Sequence, residues 1–305
     1  MTGVQTCALP ISGLFVSCFF KISYVCLLYD LYPEIAINLG VVKRRGFIAK
    51  IWDFLNCLTW KKSAAIIVLN SSMKDRITKK CPEVAHKISI IPNWSDPQEI
   101  KPMAKEVNSF AIEHALVDKF TVMYSGNMGR CHDVETLFNA ILLLRETPIK
   151  FVFVGGGDKR KYMQSKINEY GLTNCLMLPY QSKENLPFSL TACDVSLVSI
   201  DEQMEGLVAP SKLYSSLAAS SPIVAICPQH SYLNTVLAEA ECGVGFCNGD
   251  SEGVARYLYK LSQNPQLVKK LGQSGREYCI QNYTLEKTTT YYLQLFKSLV
   301  ERQLR

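Results

Sequence analysis

From Phe120 onward the chain alternates short apolar runs with stretches in which apolar residues recur at helical spacing. The runs lie in FTVMYSG, KFVFVGGG, CLMLPY, DVSLVSI, PIVAICP and GVGFC, each of strand length and each followed by loop-forming residues. Residues 133–144, 159–170 and 213–219 carry the helical period between them. Strands alternating with helices in this order predict a parallel, doubly wound α/β sheet. Six strands are enough for one complete domain of that kind.

Ahead of Phe120 the same reading yields three strands, at residues 24–28, 64–69 and 88–91. Three parallel strands with their helices fall short of the usual core and leave a strand edge open, so a sheet lacking its first strands is expected here. The opening segment MTGVQTCALPIS shows no periodicity, and Met1–Ile11 coincide at every position with a translation of a common sequencing adapter from a GTG start. Residues 1–12 are therefore read as adapter-derived rather than as a signal peptide, since they have no basic start and no apolar core of the usual length. Residues 95–118, rich in Pro, Asp, Glu and Lys, read as a connection between domains. The expected division is 13–105 for a partial first domain, 106–285 for a second domain and 286–305 for a terminal helix. A length of 305 residues suits two domains of ordinary size.

Composition changes this picture little. A net charge of +6 is too weak, without a basic patch or motif, to predict a nucleic-acid partner. Of the twelve cysteines, Cys7 belongs to the adapter-like segment and the others are scattered, most of them in apolar runs, with no CxxC pair and no Cys/His grouping at metal spacing, so packed free thiols in a reducing cytoplasm are expected and a bound metal is not. The apolar run 13–31 is broken by Lys21, and its second half reads as a buried strand rather than as part of a transmembrane helix. KRRGFIAKIWDFLNCLTWKK, residues 43–62, places Phe47, Ile51, Phe54, Leu55 and Leu58 at helical spacing between basic ends. Two readings stay open for it, a helix packed on the first sheet or one whose aromatic and basic residues rest on anionic lipid.

Three loops carry candidate chemistry. YSGNMGR, with Gly126 and Gly129, joins a strand to a helix, where glycine lets backbone N–H groups approach an anion; a plain tight turn explains the same residues. FVGGGDKRKYM places Gly155, Gly156 and Gly157 at the end of the next strand, on the side where open α/β sheets bind ligands. In EGLVAPSKLYSSLAAS, Pro210 and Ser211 start a helix well, but Lys212 sits in its first turn, where a cation opposes the helix dipole. A residue that breaks a local rule in this way is expected to face an anion such as phosphate.

DLYPE at 30–34, IPNWSD at 91–96, YSGNMG, FVGGGD and EGLVAPSKLYSSLA, in this order and at these intervals, resemble the retaining family 4 glycosyltransferases, in particular the bacterial branch that builds O-antigen, capsule and colanic acid. The resemblance spans Tyr24 to about Tyr283. It implies the GT-B fold, two Rossmann-like doubly wound domains, here with the N-terminal one truncated. It also implies a nucleotide-sugar donor, uridine-linked, and a lipid-linked saccharide acceptor, at the cytoplasmic side of a membrane surface and without a further cofactor.

Carried over by residue, the resemblance puts Gly126, Asn127, Gly129, Arg130 and Gly156 near the donor diphosphate. Pro179 and Tyr180 fall at the base, and Pro210, Ser211, Lys212 and Ser215 at the helix start beside the phosphates. Asp30 and Glu34 would face the sugar and acceptor, and Glu205 would be a further catalytic carboxylate. Two departures stand out: Ser215 replaces the glutamate that many members offer to the donor ribose, and Asn127 and His132 stand where many have a basic pair. His132 contacts phosphate only if protonated, and a surface loop histidine is the plainer expectation. The rival readings are a GT-B nucleotide-sugar epimerase or hydrolase and an inactive nucleotide-sugar-binding fragment.

Overall fold

The computed structural model describes residues 9–304 of the chain. It divides into two compact units, one comprising the chain up to Pro92 with Gln203–Ala209 and Thr288–Arg305, the other Asn93–Glu202 with Pro210–Lys287. The adapter-like segment falls outside the described residues up to position 8, and residues 9–12 open the first helix.

In the first unit α1 (Leu9–Phe20) precedes β1 (Val25–Leu28), α2 (Glu34–Asn38), α3 (Phe47–Lys62), β2 (Ala65–Val68), α4 (Ser71–Lys80) and β3 (Ile88–Ile90). The strands form a parallel sheet in the order β1-β2-β3. All four residues of β2 are buried, as befits the middle strand, whereas β1 leaves Leu27 exposed at its edge. The apolar run 13–31 is split between α1 and β1 at Lys21, whose φ of 54° ends the helix. Among the described residues no helix is long and apolar enough to cross a membrane.

The second unit runs α5 (Ser109–Glu113), β4 (Thr121–Ser125), α6 (Glu135–Leu143), β5 (Lys150–Val154), α7 (Arg160–Glu169), β6 (Cys175–Leu178), α8 (Leu186–Thr191), β7 (Val195–Ser199), α9 (Lys212–Ala218), β8 (Ile223–Ile226), α10 (Tyr232–Glu239), β9 (Gly243–Phe246), α11 (Ser251–Ser262) and α12 (Pro265–Asn282). Its six strands are all parallel in the order β6-β5-β4-β7-β8-β9. The central strands are apolar throughout because helices cover both faces, and alternate side chains feed two cores. Tyr124, Phe151 and Phe153 enter one with Leu137 and Ile141; Met123, Val152 and Val154 enter the other with Phe110 and Leu116. The order reverses between β4 and β7, and the crevice beyond the strand ends at such a switch point is where doubly wound sheets bind ligands.

Residues 93–105 cluster with the second unit, not with the first as the boundary at 105 assumed. Arg276 in α12 explains this, because its guanidinium donates to the carbonyls of Pro97, Ile100 and Ala218, and Ser95 N–H donates to Tyr283 O. The long terminal helix α13 (Leu285–Leu304) follows α12, and its residues from Thr288 onward group with the first unit.

Candidate functional site

The ends of β4 and β5 open into the two glycine turns, and the turns interlock. Gly126 N–H donates to Val154 O at 2.7 Å, Met128 N–H to Gly156 O at 2.7 Å and Lys159 N–H to Met128 O at 2.9 Å. The fit tolerates no side chain at Gly155, where φ is +134° and a Cβ would stand 2.2 Å from the Gly126 carbonyl oxygen. Gly157, at φ +112°, is as tightly placed, with Asn127 Oδ1 2.2 Å from its Cβ position. Tyr180, 60 % exposed at the end of β6, lays its ring against Gly156, 2.9 Å from where a Cβ would be.

Lys212 is the first residue of α9 and is partly buried. Its ammonium donates to Asn127 O at 3.0 Å and lies 4.8 Å from the centre of the Tyr124 ring. The Tyr124 hydroxyl donates to the same carbonyl at 3.0 Å. Gly126 makes room for this lysine, since a Cβ there would meet Lys212 Cε at 3.2 Å. Burial pushes the Lys212 pKa down to about 8, and no carboxylate acts to raise it. Here is a partly desolvated cation at a helix start, with a carbonyl and a ring for company and, among the described residues, no ion pair.

His132 is not the surface residue its loop position implied. It is 9 % exposed, and its Nδ1 stands 2.6 Å from Ser199 O, so the neutral ring donates there. Burial, with the charges of Lys212 and Lys159 adding to it, pushes its pKa down to about 3. The ring is neutral near pH 7 and offers no charge to a phosphate. Lys159, which sequence reading passed over, donates to His132 O at 2.5 Å and brings a second cation to the glycine turns. The signal was present, a basic residue two places after the glycine triplet.

Within the second unit the structure thus gathers Gly126, Asn127, Gly129, Gly156, Tyr180 and Lys212. Arg130, Pro179 and Ser211 are exposed nearby in sequence, and Pro210 is buried. Ser215 turns its hydroxyl back to Lys212 O at 3.1 Å, an ordinary bond within the helix. The expected carboxylates belong to the first unit. Asp30 is half-buried, and burial lifts its pKa to about 6. Glu34 accepts from Lys80, which also pairs with Asp53.

Glu205 is 1 % exposed in the segment 203–209, which is fastened to the first unit's own elements. Arg76 holds the Glu205 carbonyl with bonds of 2.8 and 3.1 Å, Asn38 the Gln203 carbonyl at 2.7 Å, and Leu31 N–H donates to Leu207 O at 2.9 Å. The EGLVAPSK motif therefore crosses the division, with Glu205 in one unit and Lys212 in the other.

Residues 107–278, more than half of the chain, match the family model described as Glycosyl transferases group 1. The chain belongs to this family. Among relatives of this glycosyltransferase, the probable glycosyltransferase WbjE of Pseudomonas aeruginosa is 26% identical over 86% of this chain and 64% of its own length. The putative colanic acid biosynthesis glycosyl transferase WcaI of Escherichia coli is 28% identical over 73% of this chain and 54% of its own. The chain thus spans less than two thirds of the length of these two curated relatives. In structure it is similar to Anabaena Alr3699/HepE, solved in complex with UDP and glucose, with a TM-score of 0.77, 13% identity, and coverage of 96% of this chain and 76% of that one. That likeness establishes the fold, α/β with two Rossmann-like parallel sheets of the GT-B kind.

Proposed function

We propose that this glycosyltransferase takes a uridine-diphosphate sugar and transfers the hexosyl or N-acetylhexosaminyl group, with retention at the anomeric carbon, to a lipid-linked saccharide in surface-polysaccharide synthesis at the cytoplasmic face of the membrane. One observation carries the donor reading: the Lys212 ammonium, half-desolvated and short of an anion, stands over the interlocked glycine turns. As the glycosidic bond breaks, negative charge develops on the departing diphosphate, and a preorganised cation in a partly dry site stabilises it more than water would. Gly126 and Met128 have committed their N–H groups to the second turn, so Gly126 serves by admitting Lys212, and the Gly129 amide with Arg130 and Lys159 completes the anionic contact. Tyr180 and the Pro179 backbone border the place of the base.

The description of WcaI as a putative colanic acid biosynthesis enzyme and the UDP bound in HepE support this reading. Asp30, titrating near neutral pH in the first unit, suits exchange of a proton with an acceptor hydroxyl better than Glu34, which is held by Lys80. The test is turnover by the full chain with UDP-hexoses and a lipid-linked saccharide fraction, following UDP release and the anomeric configuration of the product by NMR. Release of UDP with retained configuration is expected. UDP binding without transfer to any acceptor would leave a nucleotide-sugar-binding fragment instead.

A further inference from the structure

Helix α3 lies against the end of α4 through a ladder of polar pairs. Asp53, Cys57 and Lys61, at i, i+4 and i+8, share one face of α3. Asp53 pairs with Lys80, the last residue of α4, and Lys61 pairs with Glu83 at 2.8 Å. Cys57 therefore falls midway between two ion pairs whose partners bracket Cys81 in the chain, and its side chain is a hydrogen-bonding neighbour of the Cys81 thiol. The two cysteines sit on elements already fastened face to face.

Their surroundings differ. Cys81 is buried at the C-cap of α4 and its thiol donates to Glu83 Oε2 at 3.3 Å, whereas Cys57 is half-buried. Burial, with Glu83 and Cys57 adding to it, pushes the Cys81 pKa up to about 12, so this thiol keeps its proton at neutral pH. A thiol that solvent reaches can open a disulfide exchange, and one packed behind it can close it. Both elements also hold the loop after β1, since Asn56 Nδ2 donates to Tyr32 O at 2.6 Å and Lys80 pairs with Glu34.

We propose that Cys57 and Cys81 form a reversible disulfide that clamps α3 to the end of α4 and stiffens the 30–34 loop. The oxidant is a low-molecular-weight disulfide such as oxidised glutathione. The Cys57 thiolate attacks one glutathione sulfur, and the glutathione thiolate it expels takes up the proton Cys57 gave to water. Cys81 then attacks Cys57 Sγ, its proton passing by way of the Glu83 carboxylate to the second departing glutathione thiolate. Two protein thiols are oxidised, one glutathione disulfide is reduced to two thiols, and excess reduced glutathione reverses both steps. Where glutathione keeps thiols reduced, a bond of this kind is transient and responsive. The clamp is independent of the donor chemistry.

The reduced full chain is incubated with oxidised and reduced glutathione at graded ratios, alkylated, digested without reduction and mapped by mass spectrometry. A linked peptide pair joining Cys57 to Cys81, released by dithiothreitol, is expected. Cys81→Ser, which keeps a donor for Glu83, should stop one step earlier and accumulate glutathione on Cys57, while Cys57→Ser should leave Cys81 unmodified. Cys57→Ser changes a half-buried side chain, so it decides the order of attack should Cys81→Ser fail to fold. Amide exchange at 30–34 should slow about tenfold or more in the oxidised chain. Four results would overturn the proposal: no 57–81 link at any ratio, a link that forms only in denaturant, glutathione on Cys81 in Cys57→Ser, or unchanged exchange at 30–34 in the linked chain.

Discussion

Replacing Lys212 by Met separates what the residue costs the fold from what it gives the site. A pKa lowered from 10.5 to about 8 by burial corresponds to on the order of 3 kcal/mol against the charged form. Met keeps the length of the side chain and removes that cost, but loses the hydrogen bond to Asn127, worth about 1 kcal/mol. Lys212→Met is therefore expected to be about 1–2 kcal/mol more stable than wild type at pH 7, with a melting temperature a few degrees higher. The pH dependence has a definite sign. Between about 8 and 10.5 the unfolded lysine holds a proton that the folded one has lost, so wild-type stability rises with pH through this window, and the variant shows no such rise.

Ligand binding should move the other way. Loss of a charge-assisted contact to phosphate costs about 1.5–3 kcal/mol, a ten- to hundredfold weaker UDP complex. In wild type, UDP affinity should also fall as pH rises above 8, with proton uptake visible when calorimetry is repeated in buffers of different ionisation enthalpy. An unchanged dissociation constant in Lys212→Met, with an intact melting curve, would refute the reasoning.

Gly155→Ala should destabilise the second unit by about 3 kcal/mol or more, because its Cβ meets backbone at 2.2 Å; Gly171→Ala, also at positive φ but in open space, should cost only about 1–2 kcal/mol in the same denaturant titration. His132, neutral with a pKa near 3 where the unfolded value is 6.5, should make wild type lose on the order of 3–5 kcal/mol as pH falls from 6.5 to 3. His132→Asn, whose amide nitrogen takes the place of Nδ1 and can still donate to Ser199 O, should shift the acid-unfolding midpoint to lower pH; an unmoved midpoint would mean the histidine is already charged in the fold.

The nine strands of the described residues were legible because each parallel strand is a short apolar run closed by glycine or polar residues, and the place of Lys212 in the first turn of α9, against the helix dipole, was legible as well. Other features depend on distant partners that periodicity does not register. His132 is buried only because β7, 67 residues later, brings Ser199 O to its ring. Glu34 looked available as a site carboxylate until α4 supplied Lys80. The 43–62 helix shows the limit most plainly, since amphipathic spacing states that one face is apolar without stating whether that face turns inward, and here Phe47 and Phe54 turn outward. The division of the EGLVAPSK motif follows from Arg76 and Asn38 holding backbone carbonyls, contacts that leave no mark on the motif itself.

The central claim is that the interlocked glycine turns and the α9 lysine bind the donor diphosphate. Amide hydrogen exchange of the full chain with and without UDP tests it at the residues concerned. Protection is expected at 126–130, 155–159 and 211–215, with α1 to α4 unchanged, and Lys212→Met should lose that protection at the same UDP concentration. Protection confined to other segments, or none at millimolar UDP, would contradict the account.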